Sequence, residues 1–238
     1  MKITAIIFSR LNSKRLFRKS LIKISNKTLI QHIIDRLKKI NEINEIILAT
    51  SKSKIDKELV KVAIKNNIKI FRGSENNVLK RTYECINKYK INFFLRVCGD
   101  RIFFDNKFIN SVLKNLKTNS KLTKKYDLIS NNSKEKKVDQ GLTVEFVSKK
   151  CIKKIISKKK INSYNKEHIT SYIYENLDKF SFKRIRSPGH HFHKLKYTID
   201  VKKDVLKAKK IIAKLKKNDL YNFNKIYLET KKLNYDIK

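Results

Sequence analysis

The chain has 238 residues, 40% of them hydrophobic, which is enough for one sizeable α/β domain with a buried core and argues against disorder. Its 59 Lys and Arg outnumber 21 Asp and Glu, a net charge of +38 that suggests polyanionic partners, yet lysine is spread through every predicted helix among Ile and Asn, and no aromatic-interleaved basic motif of a dedicated nucleic-acid binder occurs. Cys85, Cys98 and Cys151 are an odd set without metal-type spacing, which argues against a disulfide framework. No segment approaches the ~18 apolar residues of a membrane span, and the apolar start is too short for a signal peptide, so a cytoplasmic location is expected.

In chain order, the apolar run Ile3–Phe8 predicts a short buried strand that empties into Ser9-Arg10-Leu11-Asn12-Ser13-Lys14-Arg15-Leu16-Phe17-Arg18-Lys19. A strand fixing a loop of cations and small polar residues suits a nucleoside-triphosphate site, where Arg, Lys and backbone N–H groups surround phosphate oxygens; a solvated basic loop would read the same way. Thr28-Leu29-Ile30-Gln31 resembles a capping box, and Leu29, Ile30, Ile33, Ile34, Leu37 and Ile40 share one helical face. A strand over 46–49, a helix over 57–66, a strand over 68–71, a helix over 78–90 and a strand over 93–97 follow. This alternation predicts a mostly parallel sheet with helices on both faces and ligands beyond the carboxyl ends of the strands.

Three features fall at those ends: the Arg10–Lys19 loop, Arg72-Gly73-Ser74, and Gly99-Asp100. The chain has four glycines, Gly73, Gly99, Gly141 and Gly189, and in so glycine-poor a sequence each marks a backbone position that a side chain would disturb, or an ordinary turn. Asp100 ends an apolar strand and Asp200 ends the strand-like Leu195–Ile199, just before a helix over about 203–216. Two such carboxylates suit a hard divalent cation facing phosphate, although Asp200 also reads as a helix N-cap, and Asp204 as a partner of the helix dipole.

These segments together resemble the cytidylyltransferases that make CMP-activated acidic sugars, in particular the branch of the spore-coat polysaccharide enzyme and, more distantly, the acylneuraminate and 3-deoxy-manno-octulosonate enzymes. The resembling stretches are residues 5–10 with 15–19, 71–81, 96–100, Asp139-Gln140-Gly141-Leu142-Thr143-Val144-Glu145, Glu167-His168-Ile169-Thr170 and Tyr197-Thr198-Ile199-Asp200, in family order over nearly the whole chain. The resemblance implies a Rossmann-like, GT-A-like nucleotidyltransferase fold in a single domain over 1–238, with a small insertion or dimerisation region around 115–180 and a homodimer as one outcome. It implies CTP and a sugar acid as substrates and Mg²⁺ as cofactor. It places Lys19, Arg10 and Arg15 on the triphosphate, with Ser9, Ser13, Arg72, Gly73, Ser74, Arg81 and Gly99 around the nucleotide. Gly141 and Glu145 fall near the acceptor sugar, and Asp100 and Asp200 on the metal.

The chain departs from the family pattern at Asn12, where a glycine is usual, at Phe17-Arg18, where a Pro-Gly pair is usual, and after Gly99-Asp100, where the family usually has a proline shortly before an apolar stretch and this chain has Arg101-Ile102-Phe103-Phe104. Phe17-Arg18 adds bulk where backbone approaches phosphate, and Arg101 either contacts phosphate or blocks the metal. Glu145 also reads as a surface carboxylate on an edge strand, His168 as a packed helical residue, and Asn115–Lys125 as a flexible polar insertion. His190, His191 and His193 invite a zinc reading, but no Cys or carboxylate stands at ligand spacing in the sequence. Two further classes stay open. One is a sugar-nucleotide-dependent glycosyltransferase, which would ordinarily show a DxD pair that is absent. The other is a catalytically impaired nucleotide-binding homologue. GxGxxG and GxxxxGK[ST] are both absent, which excludes dinucleotide dehydrogenases and P-loop kinases.

Overall fold

The computed structural model describes residues 2–133 and 137–235. In chain order it runs through β1 (Thr4–Phe8), a hairpin of β2 (Lys23–Ile24) and β3 (Lys27–Thr28), α1 (Leu29–Lys38), β4 (Glu45–Ser51), α2 (Lys57–Lys65), β5 (Lys69–Gly73), α3 (Val78–Lys88) and β6 (Phe93–Cys98). Next come α4 (Asn106–Thr118), α5 (Lys121–Lys125), β7 (Leu128–Ser130), β8 (Glu145–Ser148), α6 (Lys149–Ile156), α7 (Ser163–Glu167), α8 (Ser171–Glu175), β9 (Phe182–Arg184), α9 (Lys202–Lys214) and α10 (Phe223–Tyr235). Seven strands form one sheet in the order β5-β4-β1-β6-β8-β7-β9.

The first four of these are mutually parallel, as the βα alternation predicts, whereas β8 runs against both β6 and β7. The parallel strands are buried on both faces, which is why they read in the sequence as continuous apolar runs rather than alternating ones. Ala5 and Ile7 of β1, Leu48 of β4 and Leu95 of β6 pack on one face under α1, α2, α4, α9 and α10. Ile6, Phe8, Ile47 and Phe94 pack on the other face under α3, α6 and α8. The result is a three-layer α/β fold.

Local signals decide the helix starts. The Thr28 hydroxyl accepts the Gln31 N–H at 3.3 Å, but the Gln31 side chain turns to Asp35 and Asn66, so only half of the capping box forms. Asp204 in the first turn of α9 accepts the N–H groups of Asp200 and Val201 at 2.8 and 3.0 Å. Asp204 therefore does the capping expected of Asp200, whose carboxylate is left for other partners.

Several expectations are corrected here. Leu195–Ile199 makes isolated bridges, Thr198 with Arg101 and Lys196 with Gln140, rather than a full strand. Asn115–Lys125 is the end of α4 followed by α5, and residues around 115–180 contribute β7 and β8 to the main sheet. His168 lies in the break between α7 and α8. Glu145 is no edge-strand surface residue: β8 is interior and Glu145 is buried.

Its partner is Arg96, directly opposite on β6, whose Nη1 donates to Glu145 Oε2 at 2.6 Å. Burial alone would push the Glu145 carboxyl up, but Arg96 and Arg101 beside it hold it below its ordinary value of 4.5. Phe146 of β8 stacks on Phe93 of β6, ring centroids 6.0 Å apart, and fixes the same strand pair from its apolar side.

Phe146→Ala is expected to lower unfolding stability by about 3–5 kcal/mol, read from the denaturant midpoint. Phe17→Ala, removing a side chain 59% exposed, is expected to change it by less than about 0.5 kcal/mol. Glu145→Gln, which leaves the Arg96 guanidinium buried without its counter-charge, is expected to cost about 3 kcal/mol at pH 7. A depressed carboxyl stabilises fully above its unfolded value and loses that contribution as pH falls through its folded value. Thermal melts should therefore show the wild type losing stability below pH 4.5 more steeply than Glu145→Gln; equal slopes would remove the pair from the acid response.

Candidate active site

At the carboxyl end of β1 the chain turns out over the sheet. Leu11 anchors the loop: its side chain is fully buried, and its N–H donates to Asp56 Oδ1 at 2.8 Å. The buried Asp56 carboxylate also accepts from the Thr50 hydroxyl and from the N–H and hydroxyl of Ser51 at the end of β4. One carboxylate thus ties the loop to the adjacent strand end. The Leu11 carbonyl then accepts the N–H groups of Ser13 and Arg18, closing the loop on itself. At its far end a short 3₁₀ turn, Lys19–Leu21, buries Ser20, whose hydroxyl lies 2.6 Å from that of Ser9. Ser9 packs so closely on Gly99 that a Cβ there would meet its Oγ at 2.7 Å, so Gly99 is required by contact between the β1 and β6 ends.

This closure presents Lys19 to two carboxylates distant in sequence. Its Nζ lies 3.1 Å from Asp100 Oδ2 and 3.2 Å from Asp200 Oδ1. Arg15 Nη2 approaches the same Asp200 oxygen at 2.8 Å, and the Thr198 hydroxyl donates to the other at 3.0 Å. Burial would push the Asp200 carboxyl up, but Lys19, Thr198 and Arg15 hold it below its ordinary range. Two carboxylates therefore converge on the Lys19 ammonium, with Arg15 and Lys196 also paired to Asp200. Hard oxygen donors around a cation are the donor set that a divalent ion such as Mg²⁺ takes, so these residues fit one.

A cleft of about 550 Å³ opens beside this group, lined by Ser9, Arg10, Ser13, Lys14, Arg15, Lys19, Arg81, Arg96, Gly99, Asp100, Glu167 and His168 among others. Arg10 spans its mouth, donating to the Glu75 carbonyl at 2.9 Å and to Glu167 at 2.7 Å. Arg81 is buried in its wall, its Nη1 held by the Ser74 carbonyl at 2.9 Å, and burial together with the nearby Arg10 charge brings its guanidinium down to about 10. Burial also pushes the His168 imidazole below its usual value, so it is neutral at pH 7. The cations outnumber the carboxylates in this wall, which makes it a site for a polyanion. A larger cleft of about 1310 Å³ at the opposite sheet end is lined largely by Lys and Ser, and its one carboxylate, Glu45, is already paired with Lys2 and Lys69.

Not every residue expected at the site faces it. Arg72 lies outside the cleft lining and donates to the carbonyls of Ser51, Lys52 and Ser53, bracing the β4 end. Gly73 sits under Phe71 and Arg81, where a Cβ would meet them at 2.8 and 2.9 Å, and Ser74 holds Arg81 through its carbonyl. Both act by positioning Arg81. Glu145 stands behind Arg96, and Gly141, at φ +104°, packs on the Tyr197 backbone away from the cleft. Arg96, Lys14, Glu167 and His168 join the cleft without having been singled out for it. The signal for Arg96 was available: a lone cation in the apolar strand Phe93-Phe94-Leu95-Arg96-Val97 must find a counter-charge or a ligand.

The departures have local explanations. Arg18 adopts φ 55°, ψ 25°, the left-handed conformation that a glycine takes without strain, and its guanidinium reaches out to Glu58 at 2.5 Å. Phe17 is exposed, so neither side chain enters the cleft. Asn12 is not in the left-handed region and instead donates to Glu75 at 3.0 Å. Arg101 donates to the Thr143 carbonyl at 2.8 Å and does not cover Asp100.

Comparison with known proteins gives this arrangement a family. A family model described as cytidylyltransferase matches residues 4–233. An uncharacterized protein of Methanocaldococcus jannaschii is 31% identical over 224 residues, 93% of this chain and 86% of the relative. The spore coat polysaccharide biosynthesis protein SpsF of Bacillus subtilis is 25% identical over 218 residues, 89% of this chain and 87% of the relative. The solved structure of a cytidylyltransferase from Leptospira borgpetersenii superposes with a TM-score of 0.87 at 24% identity, covering 100% of this chain and 96% of its own, which shows a shared fold. With its sheet, its strand-end cleft and a family match over nearly its full length, the chain belongs to the cytidylyltransferase family.

Proposed function

We propose that the protein transfers CMP from CTP to the hydroxyl of an acidic sugar, sialic-acid-like or 3-deoxy-octulosonate-like, releasing pyrophosphate for surface polysaccharide assembly. The observation that carries this reading is the convergence of Asp100 and Asp200 on Lys19 beside a cation-lined cleft. The name of the SpsF relative supports the polysaccharide context, and the motif resemblance supports the acidic sugar.

In this reading Lys19, Arg10 and Arg15 bind the phosphates and neutralise the charge that gathers on the phosphoryl oxygens and the leaving pyrophosphate. Asp100 and Asp200 hold Mg²⁺, which supplies Lewis-acid polarisation of phosphate oxygens. Arg81 and Ser13 flank the nucleotide. The Ser9–Gly99 contact and the Asp56 anchor keep the loop in place before substrate arrives, so the orientation is set in advance rather than on binding. The sugar hydroxyl oxygen bonds to the α-phosphorus while the bond to the β-phosphate breaks, and the hydroxyl proton is released.

The test is pyrophosphate release from each of the four ribonucleoside triphosphates with Mg²⁺ and a panel of eight- and nine-carbon sugar acids. Release confined to CTP and dependent on one acceptor is expected. Lys19→Ala and Asp100→Ala are each expected to lower turnover by about 10²–10³-fold with the thermal transition retained. Wild-type rates in either variant would remove that residue from the mechanism. Binding of CTP without pyrophosphate release would favour an impaired nucleotide-binding homologue, and release of nucleoside diphosphate from a sugar nucleotide would favour a glycosyltransferase.

A further inference from the structure

The polypeptide between the two strand-end aspartates carries a second group of metal-type ligands, outside the cleft. Asp105 caps α4, accepting the Phe108 N–H on Oδ1 at 3.0 Å. Its other oxygen, Oδ2, faces two imidazoles from the turn 85 residues further along: His191 Nε2 at 3.2 Å and His190 Nε2 at 3.4 Å. All three ligand atoms lie within 4.8 Å of one another. We propose that Asp105, His190 and His191 form a zinc site that clasps the start of α4 to the turn before Asp200.

Three observations support this assignment. First, the His191 contact at 3.2 Å and the His190 contact at 3.4 Å lie at or just beyond the long end of N–H···O hydrogen bonds. Ligand bonds of about 2.0–2.1 Å in a tetrahedron instead put neighbouring ligand atoms about 3.3 Å apart, the spacing seen here. The His190–His191 edge, within 4.8 Å, would shorten by a turn of His190, whose side chain is 26% exposed and packs on Phe223 and Tyr227.

Second, the supporting contacts are those of a metal-bound histidine. His191 Nδ1 lies 3.1 Å from Ser187 Oγ, which is itself fixed by the Asn131 side-chain amide at 2.8 Å. In the tautomer protonated at Nδ1, that nitrogen donates to Ser187 and leaves the Nε2 lone pair for the ion. The His191 ring is wedged edge-on between Phe108 and Phe223, each with its centroid 5.3 Å away. The segment bearing Asp105 is pinned by Arg36, which donates to the Phe104 carbonyl at 3.1 Å.

Third, the group opens on one side to a cavity of about 290 Å³, lined by Asp105, His190, Asn222, Phe223, Asn224 and Lys107 among others. A fourth ligand, water, has room to enter there. Two imidazole nitrogens and one carboxylate oxygen are a borderline donor set that favours Zn²⁺ over Mg²⁺. Because the site joins a residue five positions after Asp100 to two residues about ten positions before Asp200, zinc would lock together the segments that carry both strand-end carboxylates. Zinc binding at this site can be measured without nucleotide transfer.

The full-length chain, stripped with a chelator and dialysed, would be titrated with Zn²⁺ alone by calorimetry and by thermal melting. One zinc per chain and a rise in melting temperature, reversed by chelator, are expected. His190→Ala, at a half-buried position packed on Phe223 and Tyr227, should bind zinc at least about 100-fold more weakly, and added zinc should no longer raise its melting temperature. Asp100→Asn, which alters the other carboxylate group, should bind zinc like the wild type. Absence of zinc binding by the wild type, wild-type affinity in His190→Ala, or loss of zinc in Asp100→Asn would each overturn the assignment.

Discussion

A buried carboxylate at the back of the first loop governs the architecture of the site. Asp56 takes the Leu11 N–H and three donors from the end of β4, so the loop after β1 has no freedom to collapse into solvent. That fixed loop delivers Lys19 to the gap between Asp100 and Asp200, residues brought together by the β1–β6 pairing and by the segment bridged to Arg101. Removing the Asp56 carboxylate would strand a backbone donor and three strand-end donors at once, an expensive loss in a buried setting. The cluster it supports holds two carboxylates and a cation at contact distance before any ligand binds, which is the preorganisation that phosphoryl chemistry rewards.

Much of this was legible in the sequence. The strands of the parallel half read as uninterrupted apolar runs because both their faces are covered, and the ends of those runs located Ser9, Lys19, Gly99 and Asp100. Amphipathic spacing found α1, α2 and α3 to within about two residues of their ends. What the sequence concealed depends on non-local order. Nothing local says that β8 inserts between β6 and β7, and that insertion turns Glu145 from a surface carboxylate into the buried counter-charge of Arg96. Arg72 ends a strand like the other site residues, but a long flexible side chain is not fixed by its backbone position, and three carbonyls of the β4 turn claim it. Asp105 and the His190–His191 pair are 85 residues apart in sequence and meet only through the packing of α4 against the turn before Asp200.

In the first loop Arg18 holds a left-handed backbone conformation that a glycine would adopt freely, its side chain drawn outward to Glu58. That strain is on the order of 1–2 kcal/mol, small beside the loop's other contacts. The net charge of +38 obscures the site in composition, since lysine is everywhere. Arg81 and Arg96 are buried in the cleft wall, whereas most lysines stand in solvent.

Lys19 stands between Asp100 and Asp200, where the proposed reaction would put a divalent ion. The decisive measurement is a crystal structure with CTP and Mg²⁺. The expected result is metal bound to oxygens of both aspartates, with the Lys19 ammonium moved onto a phosphate. Nucleotide bound away from this cleft, or Lys19 still bridging the two carboxylates beside a bound triphosphate, would contradict it.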